Sequence, residues 1–172
     1  GDTILSLELV DAAGQEETME AALVVACDGT RSMMAELAGL GRREERQRQT
    51  AIVTTLGAER PHEGTAFQRF LPTGPFALMP GPGNSGGYEM SLVWTLPNDT
   101  AQQLIAADNE YFEAASLEAF GSRLGYLALA GKRLAWPLQP AWRRWITAPG
   151  LVLAGDAAHS IHPLAGQGYN LA

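Results

Sequence analysis

The sequence predicts an α/β protein in which a mixed-sheet domain stands between two short α/β segments. Three observations carry that expectation. Leu23-Val24-Val25-Ala26 and Leu151-Val152-Leu153-Ala154 are unbroken apolar runs, the pattern of strands buried on both faces. Each run ends at an Asp beside a Gly, Asp28-Gly29 in the first case and Gly155-Asp156 in the second. Between them lie alternating runs separated by turn residues, which read as antiparallel strands.

The elements follow in order. Thr3 to Val10 alternates apolar and polar residues, and Asp11-Ala12-Ala13-Gly14 supplies the turn of a hairpin. After the first buried strand, a short helix is expected from Ser32 to Ala38, ended by Gly39. Arg42, Arg43, Glu44, Glu45, Arg46 and Arg48 make the next stretch charge-rich, and it reads as a solvated linker and domain boundary. The runs Thr50 to Leu56, Thr65 to Leu71, Phe76 to Met79 and Tyr88 to Leu96 are expected to form a mostly antiparallel sheet. Asn98 or Asp99 is expected to cap one helix and Asp108 a second, in which Phe112, Ala115, Ala119 and Phe120 share a face before Gly121 ends it. Arg133 to Leu138 reads as a further strand, placed at an edge or bend by Pro137.

Bulk properties narrow the function. A chain of 172 residues can bury one good core, or one domain plus parts of another. Its net charge of −7 repels a phosphate backbone, which argues against nucleic acid as a partner. Cys27 is the single cysteine, so no intrachain disulfide or cysteine cluster forms, in keeping with a reducing compartment. No apolar run reaches the length of a membrane span, and no signal peptide is visible. The start on Gly1 and the end on Ala172, just after a glycine-opened helix begins, read as cut ends.

The chemistry concentrates in the run Gly155 to Asn170. A buried strand there delivers Asp156 to the carboxyl edge of a sheet, where α/β folds place ligands. Ala157 and Ala158 let a ligand lie against the backbone, and Pro163 stiffens the loop. Gly166 and Gly168 stand near the start of a helix, where uncovered N–H groups favour negative charge. Asp156, when ionised, accepts hydrogen bonds from hydroxyl groups.

This run resembles the Gly-Asp motif of class A flavoprotein monooxygenases, and Gly166-Gln167-Gly168-Tyr169-Asn170 resembles the ubiquinone-biosynthesis hydroxylase branch of that family. Leu23 to Ser32 is similar to the family's second motif, Asp-Gly-x-x-Ser-x-x-Arg, although Ala35 stands where the motif has Arg and Cys27 where a small residue is usual. Thr65 to Phe70, Gly74 to Pro80, Ser91 to Trp94, Arg123-Leu124-Gly125 and Ala130 to Arg133 resemble the 2-octaprenyl-6-methoxyphenol hydroxylases most.

The resemblance implies a p-hydroxybenzoate-hydroxylase-like architecture. Residues 1–40 would be part of an FAD-binding domain, 41–147 a substrate domain, and 148–172 the FAD-binding strand, loop and helix. It also implies a dinucleotide-binding βαβ unit upstream. The reaction implied is hydroxylation of a polyprenylated phenol in ubiquinone biosynthesis, with FAD as cofactor, NAD(P)H as electron donor and O₂. By resemblance, Asp156 meets the ribitol, Gly155 belongs to the same cofactor-binding motif, and Asp28 and Gly29 lie near the pyrophosphate. Pro163, Gly166, Gln167 and Gly168 lie beside the isoalloxazine ring, Asn170 is a further cofactor-binding residue of the motif, and the sheet from Thr50 to Leu96 is the far wall of the substrate pocket. No catalytic side chain is assigned, because the cofactor carries the oxidant while the protein positions, desolvates and protects. The implied location is cytoplasmic, with peripheral association at the inner membrane or with a biosynthetic complex. This chain alone is expected to bind FAD weakly or not at all, and not to hydroxylate.

Other readings stand beside this one. A halogenase or another aromatic hydroxylase of the same fold, or a non-enzymatic binding module, would share these residues. Asp156, His159 and His162 could form a two-histidine, one-carboxylate iron site, or the histidines could order the loop; no metal is expected. Gly81-Pro82-Gly83-Asn84-Ser85-Gly86 matches G-x-G-x-x-G, but a strand-like run follows it, so it reads as a hairpin loop. Cys27 reads as a buried strand-end residue. Trp136, Trp142 and Trp145, with Arg143 and Arg144, suit either an interfacial patch for a polyprenyl substrate or core and sheet-face positions. Phe67, Phe70 and Phe76 suit either a pocket or a core.

Overall fold

The computed structural model describes residues 4–44, 48–81 and 86–160. In chain order, β1 (Leu5–Val10) and β2 (Glu16–Ala21) precede β3 (Val24–Ala26), α1 (Met33–Leu37) and β4 (Arg42–Glu44). Next come β5 (Gln49–Ala58), β6 (Phe67–Leu71), β7 (Gly74–Pro80) and β8 (Glu89–Pro97). Helices α2 (Asn98–Ala106) and α3 (Asn109–Phe120) lead to β9 (Leu127–Leu129) and β10 (Leu134–Pro137). Then follow β11 (Ala141–Arg143), β12 (Thr147–Ala148), β13 (Leu151–Leu153) and β14 (His159–Ser160). The chain divides into two compact units, one of Gly1–Arg46 with Gln139–Ala172, the other of Gln47–Leu138.

The unit Gln47–Leu138 is a sheet ordered β10-β5-β8-β7-β6, with β9 also pairing β5, and every pairing is antiparallel, so this sheet is not the mixed one expected. Alternation along β5 and β8 turns Ile52, Leu56, Leu92, Trp94 and Leu96 to one face, where they pack with Leu104, Phe112 and Phe120 of the helices. Phe76 meets Trp94 edge-on at 5.0 Å between ring centroids. Buried hydroxyls on this face are satisfied, Thr50 donating to Asn98 Oδ1 at 3.0 Å and Thr54 to the Gly131 carbonyl at 3.2 Å. Residues 82–85 of the glycine-rich stretch lie outside the described residues; the strands flanking it, β7 and β8, pair antiparallel, and β8 is a strand rather than the helix a nucleotide fingerprint needs.

The helix ends show how local chemistry sets these boundaries. Asp108 caps α3 as expected, its carboxylate accepting the Tyr111 N–H at 2.7 Å, and Gly121 ends the helix at φ +88°. At α2 the expectation fails: Pro97 occupies the cap, and no side chain caps the helix. Asn98 is instead engaged by Thr50 of the sheet. Arg133 closes the other end of α2, donating to the Leu104 and Ala107 carbonyls, each at 2.7 Å, with its guanidinium 5.2 Å from the Phe112 ring centre. Gly74, at φ +139°, could not carry a side chain, since a Cβ there would strike the Thr95 carbonyl.

In the other unit, β1 and β2 form the expected hairpin, with the Asp11 carboxylate accepting the Ala13 and Gln15 N–H groups at 2.8 Å each. One three-stranded sheet runs β12-β13-β3 and another β14-β11-β4. β13 is central and buries Leu151 and Leu153, as expected. β3 departs from expectation, because among the described residues β13 is its neighbour on one side only, and Val25 is 55% exposed. Cys27, on the same face as Val25, is exposed and not buried for the same reason. The charge-rich stretch is not wholly a linker, since Arg42–Glu44 pairs with β11, but the passage between units falls within it, at Arg46 and Gln47.

Phe112→Ala should cost about 3–5 kcal/mol of stability by opening a cavity. Asp108→Ala should cost about 1 kcal/mol by removing a cap. Urea unfolding followed by circular dichroism checks both, and equal losses would contradict this account of the core.

Candidate functional site

The candidate site grows from the pairing of β3 with β13. The strands run parallel, Val24 opposite Leu151, Val25 opposite Val152 and Ala26 opposite Leu153. The Ala154 N–H extends the ladder to the Ala26 carbonyl at 2.9 Å. Parallel neighbours finish at the same edge, so Asp28-Gly29 and Gly155-Asp156 leave the sheet side by side in direction, at the edge where α/β sheets receive ligands.

Past β13 the chain tightens into a single 3-10 turn, Gly155–Ala157, with Gly155 at φ +61°. Ala157 and Ala158 are buried, which seats the turn and leaves Asp156 exposed. Its carboxylate can accept hydrogen bonds from ligand hydroxyls. Past β3, Gly29 has φ +82°, and a Cβ built there would meet nothing within 4 Å. The backbone conformation, not crowding, calls for glycine, and the space above it is open to a ligand.

Asp28 behaves differently from Asp156. It accepts the Met34 N–H at 3.2 Å and a hydrogen bond from Ser32, while Ser32 Oγ accepts the Ala35 N–H at 3.1 Å as the cap of α1. Slight burial pushes the Asp28 pKa up. Hydrogen bonds from Ser32 and from the Met34, Asp28 and Met33 amides outweigh that and hold it below the ordinary carboxylate value. Its oxygens therefore organise the start of α1, and the neighbouring Gly29 is the part open to space.

Of the other residues singled out from sequence, Pro163, Gly166, Gln167, Gly168 and Asn170 lie outside the described residues, as does His162. His159 is in β14, opposite Trp142. Among the described residues no group of three His, Cys, Asp or Glu is placed to hold a metal. Trp136, Trp142 and Trp145 are all exposed, so the core reading of them fails; Trp94 is the tryptophan in the core. Phe76 is buried in that core, Phe67 packs edge-on against Phe120, and Phe70 is exposed. Arg143 does not belong with the exposed tryptophans. It is buried and donates to the Ala157 carbonyl, directly after Asp156, a contact its position in a charged cluster did not signal.

The unit Gln47–Leu138 has a surface of its own. The cross-strand partners Val53, Val93 and Ala77 share the sheet face opposite the helices, and Leu134 opposite Val53 and Trp136 opposite Ala51 extend it. The central side chains are half-buried, small and neutral, while Leu134, Trp136, Met79 and Phe70 stand exposed along its margins.

Residues 5–172 match the FAD binding domain family. The chain belongs to that family. It is 45% identical over 155 residues to the ubiquinone hydroxylase UbiL of Rhodospirillum rubrum, covering 90% of this chain and 35% of that protein. It is 36% identical over 157 residues to the 3-demethoxyubiquinol 3-hydroxylase of Escherichia coli, covering 90% of this chain and 38% of that protein. The chain thus spans little more than a third of the length of these relatives. The flavin-dependent halogenase CmlS shares the fold, with a TM-score of 0.72 at 17% identity, over 96% of this chain and 30% of that one. The fold is the α/β, p-hydroxybenzoate-hydroxylase-like one expected from the sequence.

The lowered pKa of Asp28 has a definite sign. A carboxylate whose folded pKa is depressed adds stability above its unfolded pKa, about 3.9, and loses it as the pH falls through the folded value. The Asp28 carboxyl ¹³C shift should titrate below that value, with the Met34 amide following the same midpoint. Asp28→Asn should remove this component from the acid limb of stability. A midpoint at or above the ordinary value would contradict the assignment.

Proposed function

We propose that this chain supplies one wall of the FAD site of a monooxygenase that hydroxylates the aromatic ring of a polyprenylated phenol in ubiquinone biosynthesis, using NAD(P)H and O₂. The observation that carries the proposal is the parallel β3–β13 pair, which directs Gly29 and Asp156 to one edge in a member of the FAD binding domain family. The described residues fit such a cofactor. Asp156 offers an exposed acceptor for a ribitol hydroxyl, Gly29 leaves its backbone open, and buried alanines keep the turn thin.

Bound and reduced, FAD would supply the activation of O₂. The chain's own work would be to hold, orient and dry the site. Asp156 and Gly155 would fix the ribitol, Asp28 would hold α1 in place, and Gly29 would admit the pyrophosphate. Gly166, Gln167 and Gly168 would contact the ring's pyrimidine end, with the loop from Pro163 beside the ring. The neutral sheet face around Val53, Ala77 and Val93 suits an aromatic ring or prenyl chain, because it offers apolar contact and excludes water. No helix among the described residues is long and apolar enough to cross a membrane. Peripheral association at the inner membrane, where a prenylated phenol resides, would suit exposed Trp145 with Arg144 over its ring at 5.5 Å.

Protein made from the complete reading frame that encodes this chain should show flavin bands near ~370 and ~450 nm. Asp156→Ala should weaken FAD binding about 10- to 100-fold, as expected for losing a hydrogen bond to a charged acceptor, with the circular dichroism spectrum unchanged. Absence of flavin even after FAD is added would remove the cofactor reading. Product analysis on a panel of phenols, with halide present, separates hydroxylation from halogenation.

A further inference from the structure

Like charges directly opposite one another in an antiparallel pair are destabilising. β4 and β11 nonetheless set Arg42 opposite Arg143. Arg143 is 8% exposed, and among the described residues it forms no ion pair. A buried charge is costly unless hydrogen bonds satisfy it. Arg143 finds those bonds on backbone carbonyls, its Nε donating to Ala157 at 2.9 Å and its Nη1 to Leu40. Arg42 does likewise, its Nη1 donating to the Thr30 carbonyl at 3.0 Å, while its Nε is buried without a partner among the described residues. Arg42 also has Glu44 at 3.4 Å, but that carboxylate is largely exposed and the pair adds little.

The three acceptors are not scattered. Ala157 directly follows Asp156, and Thr30 directly follows Gly29. Leu40 closes the α1 segment that Asp28 organises, its own N–H reaching the Ala35 carbonyl at 2.9 Å. One strand pair thus sends two guanidinium groups into both loops at the carboxyl edge of β3 and β13. We propose that Arg42 and Arg143 are positioning residues of the FAD site, fixing the Gly29 loop and the Asp156 turn relative to each other. This rests on the flavin reading of that edge. A guanidinium is needed because its planar fork reaches two acceptors at once, the Ala157 and Leu40 carbonyls from Arg143 and the Thr30 carbonyl and Glu44 from Arg42, whereas an ammonium on a flexible stem holds one geometry poorly. The cost of facing like charges is offset by these bonds, which order both loops before a ligand arrives.

The test uses protein from the complete reading frame, with Arg143→Met, Arg143→Lys and Arg42→Lys. FAD affinity is read by fluorescence titration, and amide hydrogen exchange is read on ligand-free protein. Arg143→Met should weaken FAD binding about 10- to 100-fold, the range for lost hydrogen bonds to a charged group. Exchange should speed up in both loops, 29–40 and 155–158, and stay unchanged in β5 to β8. Arg143→Lys should recover little of either, and Arg42→Lys should loosen the Gly29 loop in particular. Should the Met variant not fold, the two Lys variants decide. A lowered melting temperature with unchanged FAD affinity and unchanged loop exchange in the folded Lys variants would overturn the inference. Wild-type protein that takes up no FAD would remove the flavin reading and this inference with it. Wild-type binding with unaltered Lys variants would remove this inference alone.

Discussion

The parallel pairing of β3 with β13 is the constraint on which the rest of this structure depends. Three residue pairs, from Val24–Leu151 to Ala26–Leu153, join parts of the chain that lie far apart in sequence. Closing such a long loop costs entropy, though the cost grows only slowly with length. The inserted unit reduces the difficulty further, because its own ends are neighbours: the Leu138 N–H donates to the Gln49 carbonyl at 2.9 Å and β10 pairs with the start of β5. A segment that enters and leaves at one place can fold on its own core without pulling the flanking strands apart.

Each unit solves its packing separately. The unit Gln47–Leu138 has a continuous core in which β5, β7 and β8 pack with α2 and α3. The unit holding β3 and β13 has a smaller one, of Ala26, Ala35, Leu151, Leu153, Ala157 and Ala158. Four of those six are alanines, so this core contributes modest apolar area, and hydrogen bonding takes a larger share of the ordering. The Ser32 cap, the Asp28 carboxylate and the two arginines all act on the loops at the strand ends. With small side chains there, the loops are not held by bulk but by directed polar contacts.

Much of this was legible in the sequence. Alternation in β5 and β8, the hairpin turn at Asp11 and Gly14, and the Asp108 and Gly121 helix boundaries are local patterns, and local physics decided them. The Gly-Asp and Asp-Gly motifs were legible because glycine conformations and strand-end carboxylates leave fixed traces over a few residues. Where two local signals competed, context won: Asn98 could have capped α2, but Thr50 of the neighbouring strand claimed its side chain.

By itself, then, the sequence determined the types of the longer elements, the antiparallel character of the central strands and the residues of the two motifs. Only the tertiary structure decided that the motifs share one edge, that β3 is exposed on one face and that Cys27 lies open. It alone separated Arg143, buried on two carbonyls, from the exposed tryptophans beside it, and turned part of a charged stretch into β4. The physical reason is common to these cases. Burial and partnership depend on which distant segment covers a residue, and nothing in a residue's immediate neighbours records that.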